Sequence, residues 1–246
     1  PRYSINLDSL TIGYMKSLRW NSVGNMHIVL ADNALTIDSL ALQRDSSERI
    51  SLRGTYNQGA FDNIQIAVES LPLSEINRFL PEGNERIESL SLLEGRLTKL
   101  GVTLNGTMEN PDIELYARLD SLKYNSFPIG NQTLNLTHKD AVVTGSALVV
   151  NPLLKQDSVT LTLNIASLPL NLAFASVEDR FVSGKPIDLS LQARRLSLGL
   201  VAPFVPAIDK LQGFANAEFK VEGTTPNDVT YSGAATFFNT SFIVAS

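Results

Sequence analysis

The sequence predicts a mainly β protein built from one long antiparallel or mixed sheet, with two or three short helices. Short runs that alternate apolar and polar residues recur along the whole chain. The clearest run is Val159–Ile165, VTLTLNI, in which Val, Leu or Ile occupies every second position. One side of nearly every run is therefore apolar and the other is polar, as in an antiparallel sheet that faces water on one side.

The first part of the chain, residues 2–68, is expected to contain only strands. Polar clusters separate its alternating runs, which begin at Tyr3, Met26, Leu35, Ile50 and Ile64. Runs of this kind, bounded by turn residues, are typical of half-buried strands. A short helix is expected next, over Ser74–Leu80, with Ser74 as its N-cap because a serine hydroxyl can accept a free first-turn N–H.

The rest of the chain is expected to continue the sheet. Strands are predicted over Arg96–Asn105, Asp112–Leu119, Leu134–Leu136, Ala141–Val150, Val159–Ile165 and Ile187–Leu191, and a second helix over Asn171–Val182. The total is roughly fifteen strands, most of about five to seven residues. Because no low-complexity linker divides the chain, residues 1–246 are expected to form one elongated domain. The chain starts at Pro1 and stops in an apolar run, so we expect a fragment of a longer protein.

An internal repeat supports this organisation. Residues 70–129 and 195–246 share a pattern of lead-in, strand, turn and strand. Gly106-Thr107 of the first copy aligns with Gly223-Thr224 of the second, and Pro111 aligns with Pro226. Gly and Pro suit these turns because Gly adopts positive φ and Pro fixes φ. Degenerate repeats of this kind predict an array in which each unit buries the apolar side of its neighbour.

The composition narrows the classes of function. The net charge of −5 argues against nucleic-acid binding, which needs a clustered positive surface. There is no apolar run of about eighteen residues, so no transmembrane segment is expected in this chain. Cysteine is absent, which excludes disulfides and thiolate metal sites.

Signals for catalysis are weak, and we expect neither an enzyme nor a cofactor or metal site. The chain has two histidines in unrelated contexts. His138 is expected in a solvated hairpin turn and His27 in a strand, with no catalytic role for either. No nucleophile elbow and no histidine pair with metal-ligand spacing is present. The adjacent pair Glu178-Asp179 is interpreted as a solvated helix face.

The apolar side of the sheet is the remaining candidate for function. It could be the core of a closed sandwich of two stacked sheets, or the lining of an open trough that contacts acyl chains. The residue pattern by itself favours the sandwich core. The residues that would line a trough are Val102, Leu104, Ile113, Leu115, Leu161, Leu163, Ile165, Ile187, Leu189, Leu191, Phe219 and Val221.

The repeat resembles a known family. Its first copy contains the phrases Ile87-x-x-Leu90, Gly95-x-Leu97, Val102-x-Leu104-x-Gly106-Thr107 and Asn110-Pro111-x-Ile113. The second copy has Leu211-x-Gly213 and Phe219-x-Val221-x-Gly223-Thr224-Thr225-Pro226. This order of leucine, glycine, strand, Gly-Thr, proline and strand resembles the AsmA/TamB family of Gram-negative envelope proteins. The acidic, Asn- and Ser-rich composition is similar to that of a Bacteroides-type member.

The resemblance implies a fold and a function. The expected fold is a long, curved, β-taco-like trough with an apolar interior, anchored in the inner membrane by a helix outside this chain and spanning the periplasm. The expected function is phospholipid transport between the inner and outer membranes, outer-membrane protein assembly with an outer-membrane barrel partner, or both. The partners would then be phospholipid acyl chains. The alternative is a secreted or surface β-sandwich that serves as a binding module.

Overall fold

In the computed structural model, residues 2–14, 18–45, 47–76, 92–125, 127–150, 159–177, 179–200 and 208–244 are described. They contain fifteen strands, all of which belong to one sheet with antiparallel pairing throughout. The strands are β1 Arg2–Leu7, β2 Thr11–Tyr14, β3 Leu18–Ser22, β4 Met26–Ala31, β5 Ala34–Arg44, β6 Glu48–Asn57, β7 Ala60–Pro72, β8 Leu93–Thr107, β9 Pro111–Tyr124, β10 Phe127–Lys139, β11 Val142–Val150, β12 Val159–Leu168, β13 Ile187–Ser197, β14 Ile208–Thr225 and β15 Asp228–Val244. The mainly β prediction is confirmed.

The sheet is a simple meander over most of its width. From β4 to β15 each strand pairs with the next one in the sequence, and β1 pairs with β4 at one edge. The β2–β3 hairpin lies off this path, because β3 pairs with the end of β5 beyond the reach of β4. The described parts of β1 and β15 do not pair with each other, so the sheet is open.

Most strands are longer than the alternating runs indicated. Strands β5 to β15 have 9 to 18 residues, because the ladder continues across positions where alternation is interrupted. Gly95 of the first repeat copy lies inside β8, at a register shift between Glu94 and Arg96. Asn63 lies inside β7 with a φ of 49°, at the shift between Phe61 and Ile64. Such bulges bend a strand and increase its twist, which agrees with the expected curved trough.

Two glycines lie where neighbouring strands approach so closely that a side chain would not fit. Gly145 has a φ of 152°, and a Cβ at this position would lie 2.1 Å from the carbonyl oxygen of Asn135. Gly54 has a φ of 130°, and its Cβ would lie 2.4 Å from the Cα of Ile64. Neighbouring strands therefore approach these glycines more closely than any side chain permits.

The helix predictions are only partly right. Helix α1 spans Leu73–Ile76, so Ser74 lies inside the helix and is not its N-cap; the rest of the predicted helix lies outside the described residues. A 3-10 turn covers Leu198–Leu200. The prediction of a helix over Asn171–Val182 is wrong. The described residues there form no helix, because their backbone N–H groups do not bond in the helical pattern: the Asn171 N–H donates to the Arg180 carbonyl at 2.7 Å, and the Phe174 N–H donates to the Met108 carbonyl at 2.8 Å.

The strand–turn–strand part of each repeat copy forms a hairpin, β8–β9 in the first copy and β14–β15 in the second. These are the two longest hairpins of the described sheet. Their turns differ in detail. Pro111 is the first residue of β9 and pairs with Gly106, whereas Pro226 lies in the turn before β15. The shared Gly-Thr therefore marks the end of the first strand in both hairpins, while the proline occupies different structural positions.

A small hydrophobic core lies at the end of the sheet that carries α1. It contains Trp20, Val68, Leu71, Leu73, Leu97, Ala117 and Leu122, all buried. An ionic cluster adjoins it. Arg44 hydrogen-bonds Glu48 and, at 3.3 Å, Glu75 of α1, and its guanidinium lies 5.4 Å from the centroid of the Trp20 ring. The hydrogen bond that Arg44 donates to Glu48 is the main cause that raises the pKa of Arg44.

We expect Gly145→Ala to lower the free energy of unfolding by about 3 kcal/mol, because the new Cβ would collide with the backbone of β10 at positive φ. Gly101→Ala is the matched control. Gly101 lies in β8 and does not have a positive φ, and a Cβ at this position would have no atom within 4 Å. Urea denaturation of both variants measures the difference. Equal stability of the two variants would contradict the close approach at Gly145.

We expect Glu48→Gln to cost about 2 kcal/mol of stability, because it leaves Arg44 with a weakened partner in a largely desolvated place. The side chains of Arg44 and Glu48 are only 14% and 8% exposed. Glu94→Gln is the control, since Glu94 and Lys123 are 57% and 47% exposed and such pairs contribute under about 1 kcal/mol. Chemical denaturation at low and high salt compares the two, and a loss that is equal in both variants would refute the ionic cluster as a stabilising element.

Candidate functional site

The register of the sheet aligns apolar side chains into two unbroken rows, each of which crosses the eleven strands from β5 to β15. Residues directly opposite each other in neighbouring strands share a face. The first row is Leu42, Ile50, Val68, Leu100, Ala117, Leu134, Ala147, Leu163, Leu191, Phe219 and Gly233. The second is Leu40, Leu52, Ile66, Val102, Leu115, Leu136, Gly145, Ile165, Leu189, Val221 and Tyr231. We call the face that carries these two rows the apolar face.

The other face of the same strands, here called the polar face, has a different character. One of its rows is Ser51, Ala67, Gly101, Tyr116, Asn135, Ser146, Asn164, Ser190, Lys220 and Ser232. The strong difference between the faces is what alternation along each strand produces when every register is in phase.

All the lining residues that the sequence singled out lie on the apolar face. Leu163, Leu191 and Phe219 are in the first row, and Val102, Leu115, Ile165, Leu189 and Val221 are in the second. The others flank the rows in facing pairs: Leu104 with Ile113, Leu161 with Ala193, and Ile187 with Gly223. Sequence reasoning missed further members such as Ile66, Leu134 and Leu136, although the same alternation marked their strands.

The exposure of these side chains shows how the apolar face is covered. Ile187 is buried at 4% exposure and Phe219 is 47% exposed; the other ten lining residues are half-buried. Inside a closed sandwich, central residues of this kind would be fully buried. Here neighbours within the sheet cover their flanks, and the described strands supply no second sheet to cover their tips. The accessible surface is 15372 Å², against about 10,800 Å² for a compact monomer of this mass.

One rim of the apolar face is covered by a segment that runs across the strand ends. This segment, Pro169–Val177, is called the crossing segment. The Phe174 N–H donates to the Met108 carbonyl in the β8–β9 turn at 2.8 Å, and the Phe174 ring lies 5.3 Å from that of Phe61 in β7. Ala173 is buried at 4% exposure. The crossing segment thus leaves β12 and reaches back over the strands as far as β7.

His138 holds the crossing segment in place. It is 2% exposed, so the prediction of a solvated turn is wrong. A carbonyl oxygen can only accept, so Nδ1 donates to the Pro111 carbonyl at 2.6 Å. Nε2 lies 3.1 Å from the Leu170 carbonyl and 3.4 Å from the Leu172 nitrogen, both in the crossing segment. No local sequence signal marks this role, because both partners are distant in the sequence.

His27 belongs to a hydrogen-bonded chain on the polar face. Its Nε2 lies 3.0 Å from Ser4 Oγ, and its Nδ1 contacts Asp38. The order serine, histidine, carboxylate matches that of a hydrolytic triad. A triad also needs N–H donors that converge on the substrate. The β4 ladder directs its N–H groups sideways to β1 and β5, away from this face.

The polar face also has shallow depressions. One, of about 480 Å³, lies over β12–β15 and is lined by Thr162, Ser190, Gln192, Glu218 and Lys220, among others. Ion pairing with Glu222 raises the pKa of Lys220, mainly through a hydrogen bond of 2.8 Å. Such a surface suits water and polar groups rather than hydrocarbon.

Within the described ranges, no three His, Cys, Asp or Glu side chains are grouped so that they could hold a metal ion. Nor does any helix there have the length and apolar character that a membrane crossing requires. Comparison of the chain with family models, curated proteins and solved structures gave no match. The candidate site therefore rests on the geometry of the apolar face alone.

We expect His138→Ala to release the crossing segment, because the Pro111 carbonyl would lose its donor and the Leu172 N–H its acceptor in a buried place. Hydrogen exchange of the Phe174 N–H should become at least about tenfold faster, which corresponds to about 1.4 kcal/mol of local stability. His27→Ala, a change of the other histidine on the exposed polar face, should leave that exchange rate unaltered. Unchanged protection of Phe174 in His138→Ala would contradict the assigned role.

Proposed function

We propose that this chain is a periplasmic segment of an AsmA/TamB-like envelope protein and that its apolar face carries phospholipid acyl chains between the inner and outer membranes. The observation that supports this most directly is the pair of apolar rows, which is unbroken across eleven strands and in which all members but the buried Val68 and Ala117 are half-buried or exposed. The resemblance of the repeat to that family supports it independently of the geometry.

The dimensions of the rows suit this role. Eleven strands are separated by ten steps of about 4.8 Å, which gives rows about 48 Å long. The hydrocarbon core of a bilayer is about 30 Å thick, so one acyl chain spans about half of that. The rows are therefore longer than an acyl chain, and a chain could occupy successive positions along them.

The chemistry of the lining also suits transport better than tight recognition. Each CH₂ group removed from water gains about 0.8 kcal/mol, and this gain is nearly the same wherever the chain contacts Leu, Ile or Val. A lining without fixed polar partners gives similar energies along the row, so a bound chain meets small barriers. No nucleotide or metal enters this mechanism within the segment.

The remaining parts of the proposal come from the resemblance. An inner-membrane anchor would lie outside this chain, and an outer-membrane barrel would be the partner at the far end. A role in outer-membrane protein assembly would use the same apolar face, since an unfolded strand also has an alternating apolar side.

The test compares substitutions on the two faces of the same strands. We expect Leu163→Asp and Leu189→Asp, alone or together, to weaken phospholipid binding by the purified chain at least about tenfold, because a carboxylate would have to lose its water against hydrocarbon. Asn164→Asp and Ser190→Asp are the matched controls: they add the same charge one residue further on, on the polar face, and should bind lipid as the parent chain does.

Binding can be followed with fluorescent phospholipid in detergent-free buffer, and circular dichroism verifies that each variant folds. Trp20, the one tryptophan of the chain, gives a second readout through quenching by brominated acyl chains. Folded Leu163→Asp and Leu189→Asp variants that bind lipid normally would refute the lining assignment. Absence of lipid binding by the parent chain would refute the proposed function itself.

A further inference from the structure

A second depression lies on the polar face, over β13, β14 and β15. Its volume is about 550 Å³, within the range of about 300–1,000 Å³ that is usual for small-molecule sites. We call it the arginine depression. Because residues two apart in a strand share a face, Gln192, two positions after Ser190, and Glu218, two positions before Lys220, lie on the polar face. The polar lining residues are Gln192, Arg194, Arg195, Asn216, Glu218 and Thr236.

A β-bulge brings the two arginines to this depression side by side. The register of β13 with β14 shifts between Ala193 and Leu196, and Arg195 has a φ of 47°. Among the described non-glycine residues with positive φ, most are Asn, Asp or Ser, and only Arg195 is positively charged. Asn216 holds the bulge, because its Oδ1 accepts the Arg195 N–H at 2.7 Å. This backbone conformation is strained for a long side chain, and such strain is concentrated at functional sites.

Neither guanidinium is paired with a carboxylate of the described residues. The chain has 25 acidic and 20 basic residues, and Arg44 and Arg118 of the same sheet do contact carboxylates. The guanidinium of Arg195 instead lies 5.8 Å from the centroid of the Phe214 ring. Arg194 and Arg195 are both exposed and have no ion pair in the described parts of the chain. Their N–H donors are therefore available to an anion from solution.

The carboxylate of Glu218 also lines the depression. Its Oε1 accepts a hydrogen bond from Gln192 Nε2 at 2.8 Å, and Gln192 lies two residues before Arg194 in β13. Two guanidinium charges thus stand against one carboxylate among the lining residues. The depression has an excess of positive charge although the chain has a net charge of −5. At short range the local excess decides whether an anion is attracted, because salt screens the more distant charges.

We propose that the arginine depression binds a sugar phosphate, with the phosphate group held by Arg194 and Arg195. Guanidinium groups match phosphate oxygens with paired N–H donors. The remaining lining supplies amide, hydroxyl and carboxylate groups, from Gln192, Thr236 and Glu218, which exchange hydrogen bonds with sugar hydroxyls. A phosphate ion alone would fill only a small part of the volume of about 550 Å³. A sugar phosphate uses both the charged and the neutral polar parts of the lining.

The position of this site is set by the interior of the sheet. β13 pairs with β12 and β14, and β14 pairs with β13 and β15, so the two arginines and Asn216 are placed by strands that have neighbours on both sides. The site is on the face opposite the apolar rows. The inference therefore does not depend on whether those rows carry lipid, and the two proposals can fail separately.

Isothermal titration calorimetry of the 246-residue chain with mannose 6-phosphate, inorganic phosphate and mannose tests the proposal. We expect mannose 6-phosphate to bind more tightly than inorganic phosphate, and mannose not to bind. Arg194→Gln and Arg195→Gln should each weaken mannose 6-phosphate binding at least about tenfold, because each removes charge-assisted hydrogen bonds while keeping a long polar side chain. Binding by the parent chain should weaken as the salt concentration rises.

Arg53→Gln is the matched control. Arg53 is an exposed arginine on the polar face of β6, and its Nε donates to Gln65 at 2.8 Å. This variant should bind mannose 6-phosphate as the parent chain does, and circular dichroism verifies that every variant folds. Three results would overturn the proposal: no binding by the parent chain, equal affinity for mannose 6-phosphate and inorganic phosphate, or folded Arg194→Gln and Arg195→Gln variants that bind as the parent chain does.

Glu218→Gln gives a readout that a purely structural role of the arginines would not change. It removes the negative charge from the depression, so inorganic phosphate should bind about threefold more tightly. Unchanged phosphate affinity in this variant would contradict the placement of the anion beside Glu218. Free sugar phosphates and phosphorylated glycans share the chemistry of the site. Comparison of mannose 6-phosphate with pentamannose phosphate shows which of the two binds more tightly, and tighter binding of either supports the site.

Amide NMR locates the bound ligand. The backbone N–H of Arg195 and the side-chain amide of Asn216 meet at the bulge, so both signals should shift when mannose 6-phosphate is added. The amide signals of β6 around Arg53 should not shift. Shifts confined to strands other than β13, β14 and β15 would overturn the assignment of the site.

Discussion

Side chains on a β-strand alternate between the two faces of the sheet, so a slip of one residue in any ladder would move Leu163 or Leu189 to the polar face. Each neighbouring pair of strands from β5 to β15 avoids this slip, and as a result two apolar rows run through eleven strands. The contrast between the apolar and the polar face therefore depends on the register of every pair of neighbouring strands. A single strand out of phase would interrupt both rows and place polar groups among leucines.

Bulges allow the sheet to curve while the apolar residues of each strand stay on one face. A bulge adds one residue to one strand, bends it and changes its phase relative to the partner. Gly54 and Gly213 lie at such positions with φ values of 130° and 111°, and the Cα of Ile64 and the carbonyl oxygen of Asn239 would be 2.4 and 2.6 Å from any Cβ there. Because the strands approach so closely at these points, the bends are fixed by backbone contact rather than by side-chain packing.

Local patterns were sufficient to predict the strands, their approximate number and the apolar face, because alternation is imposed on each strand separately. They were insufficient for features whose partners are distant in the sequence. His138 looks like a turn residue beside Lys139 and Asp140, and only the fold brings Pro111 and Leu170 to its ring. The residues after Asn171 have helical composition, yet hydrogen bonds to the Met108 and Arg180 carbonyls hold them in a non-helical path. Strand lengths were underestimated because ladders continue past points where alternation is interrupted, as at Asn63 in β7.

The distribution of rigid packing across the sheet accounts for the open character of the apolar face. The buried core around Trp20 and Leu97 holds one end of the strands, and the crossing segment, bonded to His138 and Met108, holds the other. Between these two ends, the central leucines pack chiefly against side chains of neighbouring strands in the same sheet. The hydrogen bonds of the ladders hold the backbone there without a covering layer. The sheet can therefore leave these side chains uncovered and keep its shape. An apolar surface held in this way is only partly withdrawn from water, so covering it further would be favourable.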